Sequence, residues 1–375
     1  MLFESLELRR LMSVAASASA GTLFVYGDDG GNDDIRLTTT FDSTSQIVVS
    51  ARTPAGYYQP VYKVADNKVD KVIIYGRDGN DKIFVDYSVG ANVTINGGHG
   101  ADYITTGGDN CVAFGDFDPA KNSESDDNAA DTLIDGAKYN SSLWGQGGND
   151  KLYTGTLNIA GPLYGAVSLY GGLGNDTFYT GNASADVTRK VKVYGSLGDD
   201  VLHTTTRREL EFYGSSGKDT IDFSGSAEAA WIHITEVNDN YCGSRLNYNA
   251  RHVNVHGDVE NITGTKYSDN IEDHALGCVI HGGDGNDYIW TGEGSDKIYG
   301  GNGNDTLLGA GGNDSIYGEA GNDWIVGGDG MDLLDGGSGA DRFVAKDNYK
   351  DVIWGGADSD VLVSSDSIDF KSSVP

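Results

Sequence analysis

The chain has 375 residues and a formal net charge of −30, with 56 acidic residues, 55 glycines and only 5 prolines. A field of this sign repels phosphate, so we expect no nucleic-acid partner and a preference for divalent cations. No stretch approaches the roughly 20 apolar residues needed to cross a bilayer, so we expect no membrane span. Three cysteines, Cys111, Cys242 and Cys278, are too few for a disulfide framework.

The first 20 residues have the pattern of an export leader. The run Leu6-Glu7-Leu8-Arg9-Arg10-Leu11 resembles the Leu-Glu-Pro-Arg-x-Leu-Leu leader of many planctomycete surface and exported proteins, with Leu8 in the place of Pro. A short apolar stretch and the small-x-small sequence Ala18-Ser19-Ala20 follow, as at a signal cleavage site. We interpret residues 1–20 as a leader or signal-like segment, the alternative being a disordered tail, and expect a protein that is secreted or held at the cell surface.

Residues 21–275 repeat one irregular unit, in which an apolar-alternating run leads into a glycine turn that ends in Asp. Clear examples are Gly76 to Asp81, Gly97 to Asp102, Gly145 to Asp150, Gly171 to Asp176, Gly195 to Asp200 and Gly214 to Asp219. Most of these corners begin 19–26 residues apart, which suits one corner for each rung of a parallel β-helix. Whether the corners hold calcium or are metal-free Asn and Asp turns stays open at this point.

Two stretches of this region are predicted to protrude, Asp116–Asp131 and Ser226–His256. The second carries the residue types that a uronate lyase needs, namely a base, a cation and a tyrosine, in His233, Glu236, Tyr241, Arg245, Tyr248, Arg251, His252 and His256. All are common residues, and the alternative is a set of surface histidines on a solenoid. The chain has no His-Glu-x-x-His and no Gly-x-Ser-x-Gly, which excludes zinc-protease and lipase motifs.

Between Gly282 and Val344 the sequence repeats every nine residues, seven times in succession. The pattern is Gly-Gly-x-Gly-x-Asp-x-U-x, where U is a large apolar residue. The sixth position is always Asp: Asp287, Asp296, Asp305, Asp314, Asp323, Asp332 and Asp341. The eighth position is Ile289, Ile298, Leu307, Ile316, Ile325, Leu334 and Phe343. A metal-free turn would tolerate Asn or Ser at the sixth position, so the invariant Asp indicates a cation.

This block resembles the repeats-in-toxin (RTX) family of calcium-binding nonapeptide repeats. One buried U residue cannot stabilise a lone unit, so the units are expected to stack two to a turn, with each loop above the loop two units later. The predicted fold is therefore all-β: one right-handed parallel β-solenoid, a β-helix over 21–275 that tightens into an RTX β-roll over 276–363. Residues 364–375 are left as a C-terminal tail.

The resemblance implies calcium as the ligand, with the sixth-position Asp as the side-chain ligand and carbonyls freed by the glycine loops as further ligands. The candidate metal-binding residues are Gly283, Gly285, Asp287, Gly292, Gly294, Asp296, Gly301, Gly303, Asp305, Gly312, Asp314, Gly321, Asp323, Gly328, Gly330, Asp332, Gly337, Gly339 and Asp341. Seven units give five loop pairs of the type i and i+2, so about five sites are expected in residues 282–344.

These observations favour a secreted calcium-binding protein with a structural or adhesive role at the cell surface or in an extracellular polysaccharide matrix. Such a protein needs no catalytic residues. The alternative is a carbohydrate-active β-helix enzyme, a polysaccharide lyase or epimerase, with the RTX roll as its folding module.

Heavy like charge and few apolar residues predict that the nonapeptide block is poorly ordered without metal, because binding energy then becomes folding energy. We expect calcium to raise the β-sheet signal of the chain in far-ultraviolet circular dichroism and a chelator to reverse the change. A spectrum of the 282–344 segment that is insensitive to chelation would contradict this expectation.

Overall fold

The computed structural model describes residues 14–28, 31–40, 45–118, 123–124, 128–137, 139–154, 165–180, 190–204, 210–227, 229–235, 252–256, 259–273 and 277–374. The chain forms two compact units, Met1–Gly198 and Asp199–Pro375. Both consist of strands and turns, with one 3₁₀ turn at Asp66–Lys68. Within the described ranges, no helix has the length and apolar character required to cross a membrane.

The described residues of the first unit form eighteen strands. They are β1 Ala15–Ser19, β2 Thr22–Tyr26, β3 Asp34–Thr39, β4 Gln46–Arg52, β5 Tyr58–Ala65, β6 Lys71–Asp78, β7 Lys82–Val85, β8 Asn92–His99, β9 Tyr103–Thr105, β10 Cys111–Phe114, β11 Phe117–Asp118, β12 Ser123–Glu124, β13 Thr132–Ile134, β14 Ser141–Gly147, β15 Lys151–Tyr153, β16 Ala166–Leu173, β17 Thr177–Thr180 and β18 Lys190–Leu197.

Two parallel ladders make up most of this unit. One runs through β2, β6, β8, β10, β14, β16 and β18, and the other through β3, β7, β9, β13, β15 and β17. The rung length varies: Val72 pairs with Val93, 21 residues later, and Val167 pairs with Val191, 24 residues later. The predicted parallel all-β architecture, with one corner for each rung, is confirmed.

The start of the first unit differs from the prediction because its strands are antiparallel. Strand β1 pairs antiparallel with β2, and β4 pairs antiparallel with both β3 and β5. Residues 15–19, which the sequence placed in a leader, therefore belong to a sheet, while residues 1–13 lie outside the described ranges. In the stretch predicted to protrude after Asp116, β11 and β12 form a two-stranded antiparallel sheet.

In the part of the second unit that the structure describes there are also eighteen strands. They are β19 Val201–Thr204, β20 Leu210–Ser216, β21 Asp219–Asp222, β22 Trp231–Thr235, β23 His252–His256, β24 Val259–Thr263, β25 Asn270–Asp273, β26 Val279–Asp284, β27 Tyr288–Trp290, β28 Lys297–Asn302, β29 Thr306–Leu308, β30 Ser315–Ala320, β31 Trp324–Val326, β32 Leu333–Asp335, β33 Arg342–Ala345, β34 Val352–Trp354, β35 Val361–Ser365 and β36 Phe370–Ser372.

In the nonapeptide block the pairing repeats every eighteen residues, so two units make one turn as predicted. Tyr288 of β27 pairs with Thr306 of β29, and Lys297 of β28 pairs with Ser315 of β30. Two segments differ from the prediction. Strand β36 pairs with β34 inside the segment assigned to a tail. Strands β22 and β23 lie in the parallel sheet, with β23 between β20 and β22, although their stretch was predicted to protrude.

The core lies between the two sheets and is built from alternate residues of each strand. All seven eighth-position residues of the block are fully buried, and the neighbours on either side of each one are more exposed. This is the period-two pattern of a strand with one face inward. Each unit therefore contributes one large apolar side chain, so stability comes from stacking rather than from any single unit.

The glycines of the loop serve two purposes, and the sequence interpretation recognised only one. Positive φ angles occur at the fourth position in all seven units, from Gly285 to Gly339. At the second position they occur in six units, and in two of these the residue is Ala310 or Glu319 instead of glycine. The first-position glycines have no positive φ. In the six units that begin with glycine, a Cβ there would approach the carboxylate of the same unit: at Gly282 it would lie 2.5 Å from Asp287 Oδ2. The second of the seven nonapeptide units differs, because it begins with Thr291.

A matched pair of substitutions tests whether the first-position glycine is required by this close approach. In Gly300→Ala the new Cβ would meet Asp305 Oδ2 and the Gly318 carbonyl oxygen, so we expect a loss of about 1–3 kcal/mol in unfolding free energy, as for other overpacked sites. In Gly311→Ala the new Cβ meets only the flexible carboxylate of Glu293, and we expect a change within about 0.5 kcal/mol. Denaturant unfolding in calcium measures both, and equal losses would contradict this account.

Candidate metal centre

The sixth-position aspartates form vertical columns in which each carboxylate is held by the rung before it. In column one (Asp269, Asp287, Asp305, Asp323, Asp341 and Asp360) the backbone N–H of Asp287 donates to Oδ1 of Asp305 at 2.8 Å, and that of Asp305 to Oδ1 of Asp323 at 2.8 Å. Column two (Asp296, Asp314, Asp332, Asp351 and Asp369) repeats the arrangement on the alternate units. It begins with the backbone N–H of Cys278, which donates to Oδ1 of Asp296 at 2.8 Å.

The second oxygen of these carboxylates is buried and accepts no hydrogen bond from the protein. This holds for Oδ2 of Asp287, Asp296, Asp305, Asp314, Asp323, Asp332, Asp341, Asp351 and Asp360, residues that are at most 3% exposed. Asp269, at the start of column one, is different: its Oδ1 accepts from Ala230 and its Oδ2 from Thr265. A buried carboxylate oxygen without a donor is costly unless a proton or a cation compensates it.

Six of these oxygens lie near a backbone carbonyl oxygen of the next rung, namely Oδ2 of Asp287, Asp305, Asp314, Asp323, Asp341 and Asp360. The point where a Cβ would stand on Gly282 lies 2.5 Å from Asp287 Oδ2 and 2.5 Å from the Gly300 carbonyl oxygen. At Gly318 the same point lies 2.6 Å from the Gly336 carbonyl oxygen, beside Asp323 Oδ2. Two acceptors thus meet with no donor between them, which is the arrangement that a hard, oxygen-seeking cation stabilises.

Burial raises the pKa of eight of these carboxyl groups above the ordinary value for Asp, namely those of Asp287, Asp296, Asp305, Asp314, Asp323, Asp332, Asp341 and Asp351. Desolvation is the largest cause, and the neighbouring carboxylates of the column add to it. The pKa rises to about 7 for Asp287, Asp314, Asp323 and Asp351, and to about 6 for Asp305 and Asp332. At neutral pH the column therefore favours whatever neutralises it, a proton or a metal ion.

The fifth-position residues make a parallel ladder that needs no metal. The Oδ1 atom of Asn286 accepts from the backbone N–H of Asn304 at 2.8 Å, and Oδ1 of Asn304 accepts from Asn322 at 2.7 Å. On the alternate units Oδ1 of Asn313 accepts from Met331 at 2.8 Å. The fifth and sixth positions of one loop thus differ in their hydrogen bonding. The Asn side-chain oxygen accepts a hydrogen bond from the protein, whereas Oδ2 of the Asp accepts none.

Among the residues that the structure describes, no three His, Cys, Asp or Glu side chains converge on one point. Each loop contributes one buried carboxylate, so a cation between two loops must take most of its oxygen ligands from the backbone. Positive φ at the second and fourth positions brings these carbonyls against the next loop: the Gly283 carbonyl lies under Gly301, and the Gly285 carbonyl under Gly303. Calcium accepts six to eight oxygen ligands, including backbone carbonyls.

The same carboxylate ladder runs through the first unit, once for each rung. The backbone N–H of Asp81 donates to Oδ1 of Asp102 at 2.8 Å, that of Asp102 to Asp131 at 2.7 Å, and that of Asp131 to Asp150 at 2.8 Å. Desolvation raises the pKa of Asp81 and Asp150 to about 7 and that of Asp131 to about 10. The irregular corner at Asp131 thus fills the long interval between Asp102 and Asp150.

The structure brings together the predicted Asp residues and loop glycines as two columns of stacked corners. The sequence interpretation missed Asp351 and Asp360 as members of these columns. Asp360 could have been found, because Gly355 and Gly356 precede it in the motif order, whereas one extra residue before Asp351 hides its register. Of the possible lyase residues, Glu236, Tyr241, Arg245, Tyr248 and Arg251 lie outside the described ranges.

The family comparison agrees with this geometry. The sequence profile of the family described as RTX calcium-binding nonapeptide repeat (4 copies) matches residues 90–110, 127–158, 164–184, 279–307, 308–343 and 347–370. The chain contains RTX calcium-binding repeats. The RTX matches extend beyond the seven strict units, into the irregular corners of the first unit and past Val344. No curated protein matches the chain as a relative.

The raised pKa values give the metal-free RTX columns a definite pH dependence. A carboxyl group whose pKa is higher in the folded chain than in the unfolded chain stabilises the fold below its unfolded value, near 4, and loses that contribution as pH rises through its folded value, here about 6–7. In a chelator we therefore expect the chain to unfold at lower temperature at pH 8 than at pH 5. Saturating calcium should remove this loss, because it neutralises the ionised carboxylates. Stability that is flat or rises over this range in the chelator would contradict the expectation.

Proposed function

We propose that this RTX chain binds calcium between stacked loops, with the Oδ2 atoms of the sixth-position aspartates and loop carbonyls as ligands. The ligand residues proposed are those predicted from the nonapeptide pattern, Gly283 through Asp341, extended by Asp351 and Asp360. The observation that carries the proposal is the set of nine buried Oδ2 atoms without a hydrogen-bond donor. Turns that bind no metal are not expected to leave the Oδ2 atom without a hydrogen-bond donor at nine successive corners.

The stacking of the columns suggests a stoichiometry. Nine aspartates with an unsatisfied Oδ2 form seven pairs one rung apart: 287 with 305, 296 with 314, 305 with 323, 314 with 332, 323 with 341, 332 with 351 and 341 with 360. The five pairs expected from the sequence are among them. We propose about seven calcium sites in the second unit, and the equivalent ladder of the first unit supports further ones there.

Calcium binding would be coupled to folding. The Asp oxygens become buried only when two rungs are stacked, and stacking without a cation leaves ionised carboxylates in a desolvated column. The unfolded chain has no preformed site, so the free energy of binding is available to order the rungs. Neighbouring sites share loops, since Asp305 belongs to one pair with Asp287 and another with Asp323, and binding should therefore be cooperative.

We further propose an extracellular, structural or adhesive role. Calcium sites of extracellular modules have dissociation constants of about 10⁻⁴–10⁻³ M, which suits an environment rich in calcium. RTX repeat proteins are typically extracellular, and the leader-like start of the sequence is consistent with export. The alternative of a polysaccharide lyase or epimerase gains no support from the described residues.

The assignment of Oδ2 as a ligand is tested by Asp305→Asn, with Asp329→Asn as the matched control. Asn at 305 can still accept the hydrogen bond from Asp287 but presents no carboxylate to the loop, so we expect calcium affinity to fall about tenfold or more and cooperativity to decrease. Asp329 is an exposed acid of the same block, and its substitution should change affinity less than about twofold. Isothermal titration calorimetry measures both, and an unchanged titration for Asp305→Asn would remove it from the ligand set.

A further inference from the structure

The first unit contains a region whose charge is opposite to that of the chain as a whole. Residues 34–82 carry seven Lys or Arg and six Asp or Glu, a net charge of +1 in a chain of −30. One of these acids, Asp81, is buried in the column of corners. The region is therefore much less acidic than the rest of the chain.

Three of these cations, Arg36, Arg52 and Lys82, lie on the outward face of one sheet, to which Lys151 of β15 also belongs. One row of residues crosses seven neighbouring strands in register, from β5 through β4, β3, β7, β9 and β13 to β15. In that order the row consists of Tyr58, Arg52, Asp34, Lys82, Tyr103, Thr132 and Lys151. The row beside it holds Arg36 opposite Phe84. We call this surface the cationic face and define it by Arg36, Arg52, Tyr58, Lys82, Tyr103 and Lys151.

The acid on the cationic face is already neutralised. Asp34 is the one acidic residue among the outward positions of β3, β7, β9, β13, β15 and β17, all of them described. Its Oδ2 lies 3.4 Å from Arg52 Nη1, and its Oδ1 accepts a hydrogen bond of 2.6 Å from the Tyr58 hydroxyl. Arg36, Lys82 and Lys151 are therefore not matched by acids on the face, and all three are exposed.

Aromatic rings lie between the cations. The guanidinium of Arg36 stands 5.6 Å from the centre of the Tyr58 ring, and the rings of Phe84 and Tyr103 are tilted by 42° with centres 5.6 Å apart. Aromatic surfaces of this kind pack against apolar C–H faces, while Arg and Lys recognise carboxylates. A ligand that alternates rings bearing C–H faces with carboxylates would match both features.

The length of the row indicates a polymer. Adjacent strands are about 4.8 Å apart, so the six steps from Tyr58 to Lys151 span roughly 29 Å. The cations recur along this direction, across the strands, with Arg52, Lys82 and Lys151 separated by two and then three strand positions. A small ligand would cover only part of such a row.

We propose that the cationic face binds an acidic polysaccharide, a chain of uronate-type sugars laid across the strands. Nucleic acid fits less well, because its dense phosphate charge would be repelled by the remainder of a chain of −30. Uronates carry at most one carboxylate for each ring, and their C–H faces suit Tyr58, Phe84 and Tyr103. This interaction is independent of the calcium ligands of the second unit, so failure of either proposal leaves the other standing.

A pair of matched double variants tests the proposal in the full-length chain with calcium present. The probe is a short oligogalacturonate, with neutral dextran as the uncharged comparison and a single-stranded oligonucleotide as the competing polyanion. In Lys82→Gln/Lys151→Gln we expect oligogalacturonate affinity to fall about three- to tenfold. The control Lys346→Gln/Lys350→Gln removes two exposed lysines of the second unit and should bind as the parent does. Binding of the parent should also weaken as salt is raised.

The contribution of the rings is tested separately by Tyr58→Ala and Tyr58→Phe. The Phe variant keeps the ring and loses only the hydroxyl that bonds Asp34, so it should retain most of the affinity that the Ala variant loses. Calorimetric calcium titration shows whether each variant keeps its metal sites. The proposal is overturned if the parent does not bind oligogalacturonate, if it binds the oligonucleotide or dextran equally well, or if both double variants bind alike. The last result would point to carboxylates held through bound calcium.

Discussion

The structure depends on one hydrogen bond that is repeated along each column, from the backbone N–H of one Asp to Oδ1 of the Asp in the next rung. This bond fixes the carboxylate against the loop and occupies Oδ1, so only the second oxygen is left to contact another group. In six of the corners of the second unit that oxygen, Oδ2, lies beside the first glycine of its own unit and near a backbone carbonyl of the following rung. The fold therefore creates an unsatisfied acceptor at each step as a direct result of how it stacks.

The sequence predicted this arrangement well where the period was strict. Nine-residue spacing gave the eighteen-residue register, and the invariant Asp gave the column. The sequence predicted less of the fold where the strands and corners do not follow a regular repeat. The antiparallel strands β1, β4 and β5 follow no repeat, and the insertion before Asp351 shifts a corner out of register without removing it from the column. The reason for the first glycine was also beyond sequence reasoning, since it is a close approach across the loop and not a backbone conformation.

The two units build their corners in the same way, but they differ in the number of carboxylates that each turn contributes. In the second unit the loops alternate between two columns, so each eighteen-residue turn contributes two carboxylates. In the first unit each longer rung adds one Asp to its column, and Asp81, Asp102 and Asp131 follow at intervals of 21 and 29 residues. A carboxylate ladder thus tolerates large changes in rung length, because the hydrogen bond links corners and not the strands between them.

This tolerance separates the chemistry of the corners from that of the faces. In the first unit the buried acids belong to the corners, while the outward positions of the strands are free to vary as long as the inward residues fill the core. On the cationic face those positions hold Arg, Lys and Tyr, and the acid among them, Asp34, is paired with Arg52. A strongly acidic chain can therefore carry a surface of opposite character, because many of its acids are buried at the corners and not on this face. Neutralising the corners with calcium would also reduce the long-range repulsion that a polyanion meets as it approaches this face.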